Sequence, residues 1–212
     1  MPKLKKPQVM EAAAPEQVRP DWIVVALALV GLGVAGYLTA LKLGGTQAFL
    51  CRGGSGCDLV QASRYSTLAG VPTAMWGAGI YLAIAVLAAM PRTARRWQAA
   101  FMLASGAVAF SLYLTFISVF VIGATCPYCL ASGGIALVLL VVMILRRPAA
   151  QGRYAAAYKP GKLAGLGITA AIFTVLFGAF IFAADFSTPA GYQSALAQHL
   201  AKSQAIFYGA FW

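Results

Sequence analysis

Cys126 and Cys129 stand two residues apart in Thr125-Cys126-Pro127-Tyr128-Cys129, where a short polar break meets a long apolar run. On a helix, positions i and i+3 share a face at roughly 5–6 Å, which is within disulfide reach. Pro127 suits a first helical turn, where its missing N–H would have had no partner. The spacing therefore predicts Cys126 at a helix mouth and Cys129 in the first turn. Exposed N–H groups and the helix dipole favour a thiolate over a thiol there, and a thiolate in Cys-x-x-Cys is the equipment of disulfide exchange. A second pair, Cys51 and Cys57, brackets Arg52-Gly53-Gly54-Ser55-Gly56. Three glycines and a serine make a flexible loop that can close into a disulfide. Four cysteines in two close pairs fit redox partners or a metal site.

The elements that must position these residues are membrane spans. The chain of 212 residues is 61% hydrophobic and only 10% charged, against about 25% charged in a soluble domain. The sequence thus describes an all-α polytopic membrane protein. Runs 22–41, 73–90, 99–122, 126–145 and 163–184 read as five spans, each near the twenty residues that cross about 30 Å of hydrocarbon. The first run is as long as a full span and no small-residue cleavage site follows it, which argues against a cleavable signal peptide. Residues 1–21 read as a mostly disordered cytoplasmic tail, with Asp21 placed to cap the first helix. Gly31, Gly33 and Gly36 offer close helix approach. The third span carries Ser105, Ser111, Tyr113, Thr115 and Ser118, hydroxyls that can bond across helices or to a ligand. Loop 42–72 holds the second cysteine pair. Its stretch 58–65, with Leu59, Val60, Ala62 and Tyr65 apolar, reads as a short helix at the membrane surface with that side inward. Gly70-Val71-Pro72 turns the chain into the second span.

A net charge of +11 does not point to nucleic acid here, because the basic residues cluster at span ends. The N-tail, residues 91–98 and residues 146–162 hold twelve Lys and Arg; the alternate side holds Lys42, Arg52, Arg64 and Lys202. By the positive-inside rule the N-terminus is cytoplasmic, and both cysteine pairs lie on the opposite, oxidising face. Residues 185–212 follow the fifth span. Tyr192, Leu196 and Leu200 recur at helical spacing, the lone His199 beside them reads as a surface residue, and 205–212 is strand-like and aromatic.

Taken together, Cys51-x5-Cys57-Asp58-Leu59-Val60-x-x-Ser63-Arg64, Gly70-Val71-Pro72-Thr73 and Cys126-x-x-Cys129 resemble the vitamin K epoxide reductase family over residues 22–145. The resemblance implies a four-helix transmembrane bundle around a quinone, plus a fifth transmembrane helix. It implies a membrane thiol:quinone oxidoreductase that supports disulfide formation, with ubiquinone, menaquinone, phylloquinone or plastoquinone as cofactor. Cys126 and Cys129 would be the active-site pair, with Cys129 towards the ring. Cys51 and Cys57 would relay electrons from a thioredoxin-like partner, and Ser63 would stand near a quinone carbonyl. Segments 146–184 and 185–212 resemble the basic loop, fifth helix and periplasmic or lumenal linker that lead, in bacterial members, into a fused thioredoxin-like domain; the sequence given ends at Trp212. The implied setting is a bacterial inner or thylakoid membrane.

Other readings use the same residues. Four thiolates satisfy tetrahedral zinc, but thiols on an oxidising face tend to oxidise, and no metal site is expected. A quinone-free electron conduit across the bilayer would want cysteines reachable from both faces, and these share one. A structural bundle with two incidental disulfides is the third; within the spans there is no acidic residue of the kind an ion transporter uses.

Overall fold

The computed structural model describes residues 20–45, 56–91, 93–147 and 160–185. Expectations for the N-terminal tail, for Cys51 and its loop through Ser55, for loop 148–159 and for the stretch from 186 onward lie outside the described residues.

In chain order the elements are α1 (Trp22–Gly44), α2 (Gly56–Ala62), a 3₁₀ turn (Arg64–Ser66), β1 (Thr67–Leu68), β2 (Val71–Pro72), α3 (Thr73–Ala89), α4 (Ala94–Phe116), a π-helical segment (Ile117–Ile122), α5 (Pro127–Leu145) and α6 (Pro160–Asp185). The apolar runs become helices because hydrocarbon offers backbone N–H and C=O groups no partner outside the segment. Four of them are long and apolar enough to cross a membrane: α1, α4 with its π continuation, α5 and α6. The fifth apolar helix, α3, has 17 residues. This is the all-α polytopic membrane architecture that the composition requires.

Several boundaries move, each for a local reason. The third span begins at Ala94, not 99, because the Thr93 hydroxyl accepts the Arg96 N–H at 3.3 Å and starts the helix there. The basic residues Arg95 and Arg96 are therefore helical. The first span runs on to Gly44 and closes when Gly45 takes φ 63° and donates its N–H to Leu41 O, which puts Lys42 on the helix. Asp21 makes no side-chain cap. Its carboxylate instead pairs with Arg146 at 3.4 Å, and its N–H donates to Ala88 O at 3.2 Å. One residue thus ties the start of α1 to the ends of α3 and α5. Where Gly70-Val71-Pro72 was expected only to turn, β1 and β2 form a two-rung antiparallel hairpin. Ala69 and Gly70 both hold positive φ, as the twist of a two-residue hairpin demands.

Helices α1, α3, α4 and α5 close a ring, α1 against α3 and α5, and α4 against α3 and α5; α6 packs on α4. The dense core fills the end where α1 begins: Val24, Ala28, Ile84, Phe101, Leu139 and Met143 are all buried in one cluster, beside a stacked Trp97–Phe101 pair at 5.4 Å. Of Gly31, Gly33 and Gly36, Gly31 alone makes the close approach. A Cβ there would stand 2.4 Å from the Tyr81 ring, whereas nothing lies within 4 Å of the corresponding position at Gly33 or Gly36.

Candidate active site

The cysteines gather at the end of the bundle away from that core. Here α4 loosens into the π segment, a distortion often found where helices line sites. Gly123, at φ 73°, ends it. Ser118 holds the reversal from both sides, its carbonyl accepting the Ala124 N–H at 3.0 Å and its hydroxyl donating to Ala124 O. Three residues later Cys126 is the N-cap residue of α5, Pro127 opens the helix, and Cys129 lies in its first turn. Both are free thiols, Cys126 buried and Cys129 exposed.

Against this mouth lies α2. Cys57, 3% exposed, packs on Cys126, 1% exposed, with Leu41, Val60 and Tyr128 around them. Cys57 is itself disulfide-bonded. The approach depends on the residue before it: a Cβ on Gly56 would sit 2.6 Å from the Thr125 carbonyl oxygen, which is backbone and cannot rotate away. Sequence reasoning took Gly56 as part of a flexible loop. Its role in the fold is to let the start of α2 touch the chain one residue before Cys126.

The Cys126 thiol, just outside the span, is lowered to about 6. The Cys129 thiol is the main cause, and the N–H groups of Cys129 and Tyr128 add to it against the opposing effect of burial. Near neutral pH Cys126 is thus largely thiolate, in contact with a cysteine already in a disulfide. That juxtaposition is what exchange through a mixed disulfide requires.

The segment from α2 to the hairpin covers the same end and is pinned from two sides. On α1, the Lys42 ammonium donates to Gln61 O and, at 3.0 Å, to Ser66 Oγ. On α3, Thr73 Oγ1 donates to Ser66 O at 3.1 Å and Trp76 Nε1 to Leu68 O at 3.3 Å. The apolar side expected of 58–65 is only half realised: Val60 and Tyr65 turn inward, whereas Leu59 and Ala62 are exposed.

Beneath this cover is a cavity of about 300 Å³ whose wall includes both Cys126 and Cys129. That is the small end of the range for ligand sites. The wall is mostly apolar, with Leu38, Ile80 and Leu114 among its residues, and its polar groups include Lys42, Tyr81, Ser111, Thr115 and Ser118. Three of the hydroxyls expected on the third span therefore do face a cavity. Tyr81 OH donates to Ser132 O at 2.7 Å, binding α3 to α5 one turn beyond Cys129. Ser63 is not on this wall. Its hydroxyl donates to Val60 O at 2.7 Å and finishes α2, so the structure does not bring it to the place expected of it. Lys42 and Tyr81 escaped sequence reasoning. Lys42 was counted only as a flanking charge, and Tyr81 reads as one more aromatic in an apolar span.

A helical membrane bundle that sets a Cys-x-x-Cys at a cavity wall and a third cysteine against it belongs to the class of membrane oxidoreductases. Residues 22–144 match the Vitamin K epoxide reductase family. The chain belongs to that family, whose general chemistry is membrane thiol–disulfide and quinone oxidoreduction. The matched stretch runs from α1 to α5, and α6 lies beyond it.

Proposed function

We propose that the protein is a thiol:quinone oxidoreductase that supports disulfide formation, taking electrons from a thioredoxin-like dithiol through Cys51 and Cys57 to Cys126 and Cys129. The observation that carries this reading is that Cys126 touches Cys57 on one side and shares a cavity wall with Cys129 on the other. A bound quinone would supply a two-electron, two-proton sink. The cavity fits such a ring: Leu38, Ile80 and Leu114 would hold its faces, and the Lys42 ammonium, with three donors, and Ser111 would meet its oxygens.

The chain's own steps balance. A partner thiolate attacks the Cys51–Cys57 disulfide; the partner leaves oxidised and the loop carries two thiols. A loop thiolate attacks the oxidised Cys126–Cys129 pair, restoring the loop disulfide and two thiols at the helix mouth. Cys126 and Cys129 then give up two electrons and two protons as their disulfide re-forms. The depressed Cys126 thiol keeps one of these sulfurs ready to act as thiolate. The disulfide at Cys57 supports this reading over a four-cysteine zinc site, because a disulfide sulfur is not a thiolate ligand.

The test is to mix the reduced, purified protein with a quinone and follow quinol absorbance. One disulfide should form at Cys126–Cys129 per quinol, and Cys126→Ala or Cys129→Ala should drop the rate to background. Retained reduction in both variants would remove these residues from the site. The same reading places the cysteines outside the cytoplasm, on the twelve-to-four division of basic residues. After reduction, a membrane-impermeant maleimide added to intact spheroplasts should label Cys51 or Cys57; labelling only after rupture would reverse the orientation.

A further inference from the structure

The helix outside the matched family stretch completes the wall of the cavity. From α6, Thr174, Phe177 and Gly178 all line it. Their position is not a loose surface contact. A Cβ on Gly106 of α4 would lie 2.6 Å from Thr174 Oγ1, and one on Gly178 of α6 would lie 2.5 Å from the Phe110 ring. Each helix gives up a side chain where the other inserts one, and such reciprocal small-residue packing is how membrane helices approach closely without a hydrophobic driving force. Further along, Phe182 of α6 is buried and meets Tyr65 edge-on, at 5.3 Å between ring centroids. Tyr65 lies on the 3₁₀ turn and itself lines the cavity. So α6 is locked both to α4 and to the cover that carries Cys57.

The cavity also opens to the outer surface of the bundle. Phe177 on α6 and Trp76 on α3 line it and yet are 48% and 47% exposed. These rings belong to the cavity wall and to the outer surface at once, so they mark where its contents meet the bilayer. A volume near 300 Å³ holds a ring and little more; a long apolar tail attached to that ring must leave. The polar wall groups lie on the other elements, among them Lys42 on α1, Tyr81 on α3, Ser111 and Thr115 on α4, Ser118 on the π segment and Ser132 on α5, whereas α6 offers Phe177, the glycine beside it and a Thr174 hydroxyl already donated to Ala170 O at 2.7 Å. An apolar wall with its one hydroxyl satisfied suits hydrocarbon, not a carbonyl.

We infer that α6 forms the subsite for the isoprenoid tail of the acceptor, with Phe177 as its main contact at the exit from the cavity. This rests on the quinone reading given above. It makes α6 a determinant of acceptor choice, in addition to any connecting role.

The test compares two probes, 2-methyl-1,4-naphthoquinone and the same ring carrying a multi-unit isoprenoid tail, by the Kd from tryptophan-fluorescence quenching in detergent micelles. Phe177→Ala should raise the Kd of the tailed probe relative to the tail-less one by roughly tenfold, the scale expected for losing most of a buried aromatic contact. Ile168→Ala, on the same helix but more than two turns away, off the cavity wall and 60% exposed, should leave that ratio unchanged. A tailed quinone with a diazirine at its second isoprenoid unit should label peptides from α6 on irradiation, and unlabelled tailed quinone should compete. An unchanged Kd ratio with label confined to α3 or α4 would overturn the tail subsite while leaving the quinone reading intact. Failure of both probes to bind the unaltered protein would overturn the quinone reading itself. If a phospholipid with a diazirine in its acyl chain labels Phe177 equally with and without excess tailed quinone, the groove is a lipid site and the inference fails.

Discussion

The two ends of the bundle are built on opposite principles. At the end where α1 begins, large side chains interlock: Leu139 is 0% exposed, Ile84 1% and Met143 2%, and the Asp21–Arg146 pair closes the rim. At the cysteine end the helices part. The α4 helix unwinds into a π segment, a cavity replaces the core, and hydrogen bonds from Lys42, Thr73 and Trp76 hold the cover. The same four helices form both ends, so the difference arises from side chains and caps, not from topology. One end contributes packing energy; the other gives part of it up around a cavity whose wall carries Cys126 and Cys129.

That contrast can be broken from either side. Leu139→Ala removes a side chain from the densest point and leaves a cavity that its neighbours cannot fill. It should cost about 2–5 kcal/mol, seen as a lower midpoint of thermal unfolding in detergent, with thiol oxidation at low temperature unchanged. A loss of oxidation rate without loss of stability would mean the two ends are not separable. Gly56→Ala acts at the other end. Its methyl group would press on the Thr125 carbonyl and move Cys57 off Cys126. Turnover with a thioredoxin-like dithiol should fall roughly ten- to a hundredfold, the cost of misplacing reacting groups by about an ångström, while the unfolding midpoint scarcely moves. Dithiothreitol-driven turnover should fall less, because a small thiol does not need Cys57. Equal losses with both donors would show that Gly56 supports the whole site and not the Cys57–Cys126 contact alone.

The smallest expected effect sharpens the electrostatics. The folded thiol of Cys126 is depressed, so its thiolate predominates above about pH 6 and is lost as pH falls below that. Iodoacetamide labelling of Cys126, read by mass spectrometry, should therefore rise through about pH 6. In Cys129→Ala the chief stabilising group is gone, and the midpoint should move up towards the ordinary thiol range. The rate at pH 7 should drop only several-fold, because a more basic thiolate is also more nucleophilic. An unmoved midpoint would assign the depression to the helix mouth itself.

How much of this could be read beforehand depended on how local the physics was. The spans were legible because hydrocarbon imposes one solution on any long apolar run, and the Cys126–Cys129 placement because Pro127 and the break before it are adjacent signals. The contact between Cys57 and Cys126 joins residues far apart in the chain and turns on one missing side chain, at Gly56, which looks in sequence like any other loop glycine. Ser63 was read by resemblance, but its hydroxyl has a nearer acceptor in Val60 O. The inward reach of α6 was invisible for a different cause. A helix apolar on every face carries no period that marks which side meets protein and which meets lipid. The glycine contacts with α4 and the Phe182–Tyr65 ring contact settle it.

The 17 residues of α3 rise about 25 Å, several ångströms less than the roughly 30 Å of a hydrocarbon core. Its neighbour α4, with the π segment, has 29 and length to spare. The β1–β2 hairpin and the cover above α3 thus sit where a bilayer of ordinary thickness would still be oily, and lipid beside α3 must thin to meet them. The protein carries its own hydrophobic mismatch on the side that Trp76 marks as open. On the proposed reading, a lipid-soluble reactant diffusing in the leaflet would meet the shallowest membrane at the wall it has to cross, and bilayer thickness would become a variable on which access depends.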